Sequence, residues 1–76
     1  MDELIKTICQ ALKVEAEAVR NYTVGISAAN NSDRGEDVVK TLTLNRMDSM
    51  EHIQNLTVQL TKVLYGVPPE EGEDDA

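Results

Sequence analysis

Along the first twenty positions the apolar residues gather on one side of a helix. Met1, Ile5, Ile8, Leu12, Ala16 and Val19 recur at steps of three and four, with Leu4 and Cys9 beside them. That is one stripe of the 3.6-residue period. The spacing predicts a helix from Asp2 to about Arg20, either continuous or broken within Ala11–Glu15, where a second short helix would begin. Asp2 and Glu3 at its start suit the positive end of the helix dipole. From Asn21 the period changes: Tyr22, Val24, Ile26 and Ala28 alternate with Thr23, Gly25 and Ser27, the pattern of a half-buried strand. The run Asn30-Asn31-Ser32-Asp33-Arg34-Gly35 consists of turn formers. Beyond it, Asp37 to Arg46 is rich in β-branched residues, with Val38, Leu42 and Leu44 on one face, and predicts a second strand. Lys40 interrupts that face and is expected near an edge, its stem flat and its ammonium in water.

Asp48 followed by Glu51 has the spacing of a capping box and predicts the start of a second helix. That helix runs on Met50, Ile53, Leu56, Leu60, Val63 and Leu64. Gly66 is placed to end it in the left-handed conformation, and Pro68-Pro69 prevent its resumption. The expected fold class is therefore α+β: helix, two-stranded antiparallel hairpin, helix, then a disordered acidic C-terminal tail. Residues 1–66 form the single small domain and 67–76 the tail, which has too little apolar surface to fold. A lone hairpin is marginal in water. The ribbon edge is thus expected either to pair with a second copy, giving a homodimer, or to be covered by another protein.

Size and composition narrow the function. A chain of 76 residues with no Trp and no Phe supports one aliphatic core of marginal stability. The single cysteine, Cys9, excludes an intrachain disulfide, and with an acidic N-terminus and no long apolar run it points to the cytoplasm. Glu70, Glu71, Glu73, Asp74 and Asp75 carry most of the net charge of −7, so the body is nearly balanced and the tail is the acidic object. The bases are scattered singly, which argues against direct binding of nucleic acid.

Candidate chemistry is sparse. His52, the only histidine, has no companions at ligand spacing and reads as a surface residue; Cys9, next to the apolar stripe, reads as a small buried hydrophobe. The carboxylate pair Glu15/Glu17 and the group Asp33/Glu36/Asp37 are expected to be solvated rather than to face each other across a cleft. Met47 and Met50 read as packing at a helix start, with an adaptable binding surface as the alternative. No catalytic residue, metal ligand or cofactor site is predicted. Partner contact is assigned to the acids Asp33, Glu36, Asp37, Glu70, Glu71, Glu73, Asp74 and Asp75.

The opening Met1-Asp2-Glu3-Leu4-Ile5-Lys6, the segment Asn21-Tyr22-Thr23-Val24-Gly25-Ile26-Ser27 and the acid-capped helix from Asp48 resemble the layout of small phage-encoded anti-CRISPR proteins, in particular the acidic Cas9-inhibitor type. The resemblance implies an inhibitor acting on a bacterial defence or nucleic-acid machine. The function expected is a non-enzymatic inhibitor or adaptor. Its partner would be a larger protein, such as a nucleic-acid-binding effector with a basic surface, and no membrane is involved. A homo-oligomeric structural or assembly protein is the alternative.

Overall fold

The computed structural model describes residues 2–33 and 35–66, without the side chain of Asp2; the expected tail, with its five acids, lies outside the described residues. What is described is a pair of long helices joined by one turn. Helix α1 spans Asp2–Asn30 and α2 spans Glu36–Tyr65, and they pack against each other as an antiparallel hairpin. The molecule is 12 Å across in its thinnest direction, the thickness of one helix.

The expected α+β class is overturned: among the described residues there is no strand, and both predicted strands, 21–28 and 37–46, are helical. The reason is a longer period that outweighs the local alternation. In α1, Ile5, Ile8, Leu12, Glu15, Val19, Tyr22, Ile26 and Ala29 follow one another in steps of three and four without a break. In α2, Val39, Leu42, Arg46, Ser49, Ile53, Leu56, Leu60 and Val63 do the same. Every one of these side chains is buried or half-buried. An unbroken 3-4 repeat is the 3.5-residue period of a coiled-coil seam. Of the strand-like residues, Tyr22 and Ile26 stay on the seam while Val24 turns out to 62% exposure. In the second segment Leu42 stays inward and Val38 and Leu44 are exposed.

The β-branched content is also accommodated locally. Thr7, Thr23, Thr57 and Thr61 each donate the hydroxyl to the carbonyl four residues back, at 2.7–2.9 Å, a bond that lets threonine sit in a helix with its polar atom satisfied. The helix runs unbroken through Ala11–Glu15. The capping-box reading of Asp48 is corrected as well: Asp48 and Glu51 lie in the interior of α2, which has already been helical since Glu36.

The turn falls where its residues predict, but it joins helices. Asn31 and Ser32 donate their amides to the carbonyls of Ala28 and Ala29, and Gly35 donates to Ser32. Gly35 is the residue before α2 and carries no side-chain cap; Glu36 and Asp37 supply negative charge in the first turn instead. At Gly35 the backbone of the turn closes on itself, because a β-carbon there would fall on the Ala29 carbonyl group. At the other end Gly66 takes the left-handed conformation, φ 65° and ψ 28°, and donates its amide to the Lys62 carbonyl.

A row of small residues, Ala11, Ala18 and Gly25, flanks the α1 seam at steps of seven and is half-buried. It lets α2 come close: a β-carbon on Gly25 would stand 2.9 Å from Cδ1 of Leu42. The packing is nevertheless thin. Among the described residues no side chain falls below 2% exposure, and the best-buried apolar ones, Ile8 and Ala29, retain 9%. Two helices can cover only one side of each other.

Candidate functional site

Two cross-hairpin polar contacts sit at the middle of the seam, on opposite flanks. Arg46 Nη1 donates to Thr23 Oγ1 at 3.2 Å. His52 Nδ1 and Glu15 Oε2 are also 3.2 Å apart, with side chains 54% and 25% exposed. Glu15 and Arg46 are seam residues, and Ser49 beside them is 6% exposed. These groups interrupt the apolar seam at its centre. Polar seam positions fix register at some cost in stability, so the arrangement reads as a lock on the pairing of the two helices.

Among the described residues no group of three or more His, Cys, Asp or Glu side chains converges on a metal position. Glu15 and Glu17 do not act together: Glu15 is on the seam and paired with His52, whereas Glu17 is exposed. The expectation that both carboxylates of that pair are solvated is corrected for Glu15.

The predicted partner-binding acids divide into two groups. Asp33, Glu36 and Asp37 come together at the tip of the hairpin, all exposed. A groove of about 290 Å³ there is lined by Ala29, Asn30, Ser32, Asp33, Gly35, Glu36 and Val39. Glu36 and Asp37 have a structural task at the α2 N-terminus, so their charge alone does not mark a site. Glu70, Glu71, Glu73, Asp74 and Asp75 lie outside the described residues.

Two side-chain expectations change. Cys9 is exposed rather than buried, and Met47 and Met50 are 59% and 52% exposed rather than packed. The first change follows from where the seam runs: it passes through Ile8, and Cys9 faces outward on the flank. The second follows from the continuity of α2: with no helix start at Asp48, there is no incoming chain for the methionines to staple. Sequence reasoning missed these exposed groups because the seam it traced in α1 ended at Val19 and in α2 began only at Met50. The uninterrupted 3-4 repeat was the signal that would have found them.

Exposed apolar surface is the dominant property of the hairpin. Leu4, Val14, Val24, Val38, Leu44, Met47, Met50, Val58, Leu64 and Tyr65 are all at least 47% exposed. Shallow grooves run between them, one of about 540 Å³ along Glu3, Lys6, Thr7, Gln10, Ala11 and Val14. No helix among the described residues is long and apolar enough to cross a membrane. No family model, curated protein or solved structure matches the chain.

Proposed function

We propose that this chain is a non-catalytic binding protein, an inhibitor or adaptor that docks on a larger protein. The observation that carries the reading is the open hairpin itself. Its large apolar side chains stand half-exposed or more on a body one helix thick, and apolar surface on that scale serves contact with another macromolecule. The net charge of −7 favours a partner with a basic surface, since complementary charge speeds encounter and rejects acidic competitors. A nucleic-acid-binding effector has such a surface, and an inhibitor of the anti-CRISPR kind is one member of this class. The segment 21–27, on which that resemblance partly drew, is helix, so the broader reading is the one retained.

The test is cross-linking of the tagged chain in the cells that express it, followed by purification. The expected result is one larger protein in stoichiometric yield, held more weakly as salt rises. Recovery of the chain alone, under conditions that trap micromolar complexes, contradicts the reading.

A further inference from the structure

The outer side of α2 carries a second apolar row that α1 does not cover. Leu44, Met47, Met50, Val58, Leu64 and Tyr65 are 51–79% exposed. At the 3.5-residue period of the seam they occupy one sector roughly 100° wide, next to the seam. Between Leu44 and Tyr65 that sector carries a single charge, Glu51. We infer that this row is the contact between two copies of the chain, α2 packed antiparallel on α2, with Gln54 on the two-fold axis.

Symmetry within the row selects a second copy as its occupant. A two-fold contact brings residues equidistant from the axis opposite one another. Leu44 and Leu64 are equidistant from Gln54, as are Met50 and Val58, and Met47 and Thr61. Leucine thus meets leucine and Met50 meets Val58, while Met47 meets the methyl-bearing Thr61 and Tyr65 the methyl-bearing Thr43. Glu51 meets Thr57 of the other copy, so no like charges face each other. At the axis two Gln54 amides meet, each both donor and acceptor, and such a polar pair sets the register of paired helices. A different partner would need an apolar row but would have no use for one balanced about a point.

Beside Gln54 the surface is indented. A groove of about 320 Å³ is lined by Val19, Met50, Ile53 and Gln54, where Val58 and Met50 of the second copy would seat. Methionine adapts readily to such a gap. From Leu44 to Tyr65 the contact is about 30 Å long at 1.5 Å per residue. One helix face of that length lies at the small end of specific interfaces, so the dimer forms in the micromolar range.

The dimer would use the α2 row and leave Leu4, Val14 and Val24 of α1 to the partner of the proposed function; its test uses the purified full chain alone. Sedimentation across the micromolar range is expected to show a reversible monomer–dimer equilibrium. Met50→Glu should weaken it about tenfold or more, as loss of a central contact does. Val14→Glu makes the same chemical change on the opposite flank and should leave the equilibrium in place. Gln54→Glu sets two carboxylates against each other at the axis. It should weaken the dimer at neutral pH and restore it once the carboxylates are protonated. Because Gln54 is exposed and nearly isosteric with Glu, this variant carries the test if circular dichroism shows that Met50→Glu has unfolded. A wild type that stays monomeric or forms a trimer or larger species overturns the inference. So does equal weakening by Val14→Glu, or a Gln54→Glu dimer indifferent to pH.

Discussion

Gly35→Ala tests how the turn is built. The backbone at Gly35 has φ −91° and ψ −6°, which alanine adopts freely, so conformational strain predicts no effect. Sterics predict a large one. The added methyl would land on the carbonyl carbon and oxygen of Ala29, and neither can yield without moving the end of α1. The hairpin must open at its closed end, disturbing Ala29 and Val39, the last seam positions before the turn. Overpacking against rigid surroundings costs about 1–3 kcal/mol, and a clash with backbone belongs at the upper end. For a domain of this size that is a drop of roughly 10–20 °C in melting temperature. Gly25→Ala is the matched comparison. Its methyl meets only the far end of Leu42, at 2.9 Å, which a small rotation relieves, while alanine gains about 1 kcal/mol over glycine in a helix interior. Gly25→Ala should melt at or slightly above the wild type. Thermal melts of both variants at one protein concentration, followed by far-UV circular dichroism, decide the matter. A Gly35→Ala protein melting with the wild type, or below it by less than Gly25→Ala, refutes the close approach of the turn to Ala29.

Further outcomes follow from the seam. Glu15→Leu gives up a partly exposed pair with His52 worth under about 1 kcal/mol and extends the apolar seam, so its melting temperature should rise by roughly 4–8 °C; a fall would show that the pair is needed for stability. Leu60→Ala removes a half-buried seam residue and should cost about 2 kcal/mol in urea unfolding, against about 0.5 kcal/mol or less for the exposed His52→Ala; equal losses would mean the seam is assigned to the wrong face. Gly66→Ala has open space around it but a positive φ, so it should cost about 1 kcal/mol through backbone strain alone, seen as faster amide exchange at the end of α2.

The sequence was legible where one signal stood alone. The helical stripe from Ile5 to Val19, the turn at 30–35 and the stop at Gly66 could each be read from a few residues. The middle was not. At Tyr22–Ala28 a two-residue alternation and a 3-4 repeat share Tyr22 and Ile26, and only the repeat's continuation through Val19 and Ala29 tells them apart. Polar residues hid that continuation: Glu15 in α1 and Arg46 and Ser49 in α2 stand at seam positions where an apolar residue is sought. Glu15 and Arg46 make the cross-hairpin contacts that were missed, with His52 and Thr23. Asp48 and Glu51 then supplied a helix-start signal where a helix was already running. The tip acids Asp33, Glu36 and Asp37 were read as solvated and all three are exposed, although Asp37, expected to open a strand, lies with Glu36 in the first turn of α2.

The single tight turn also dictates how the chain reaches its native state. Contacts in an antiparallel hairpin begin between close neighbours at 29–39 and end between Ile5 and Val63, the most distant in sequence. Loop-closure entropy is least at the turn and grows with every step away from it, so the least costly route is a zipper that starts at Gly35 and travels outward. Substitutions at Ala29 or Val39 should then slow folding, whereas substitutions at Ile5 or Val63 should chiefly speed unfolding. The polar groups at mid-seam lie across that path as a checkpoint. A zipper begun one heptad out of step would set Glu15 and Arg46 away from His52 and Thr23, so these contacts form only in the native register.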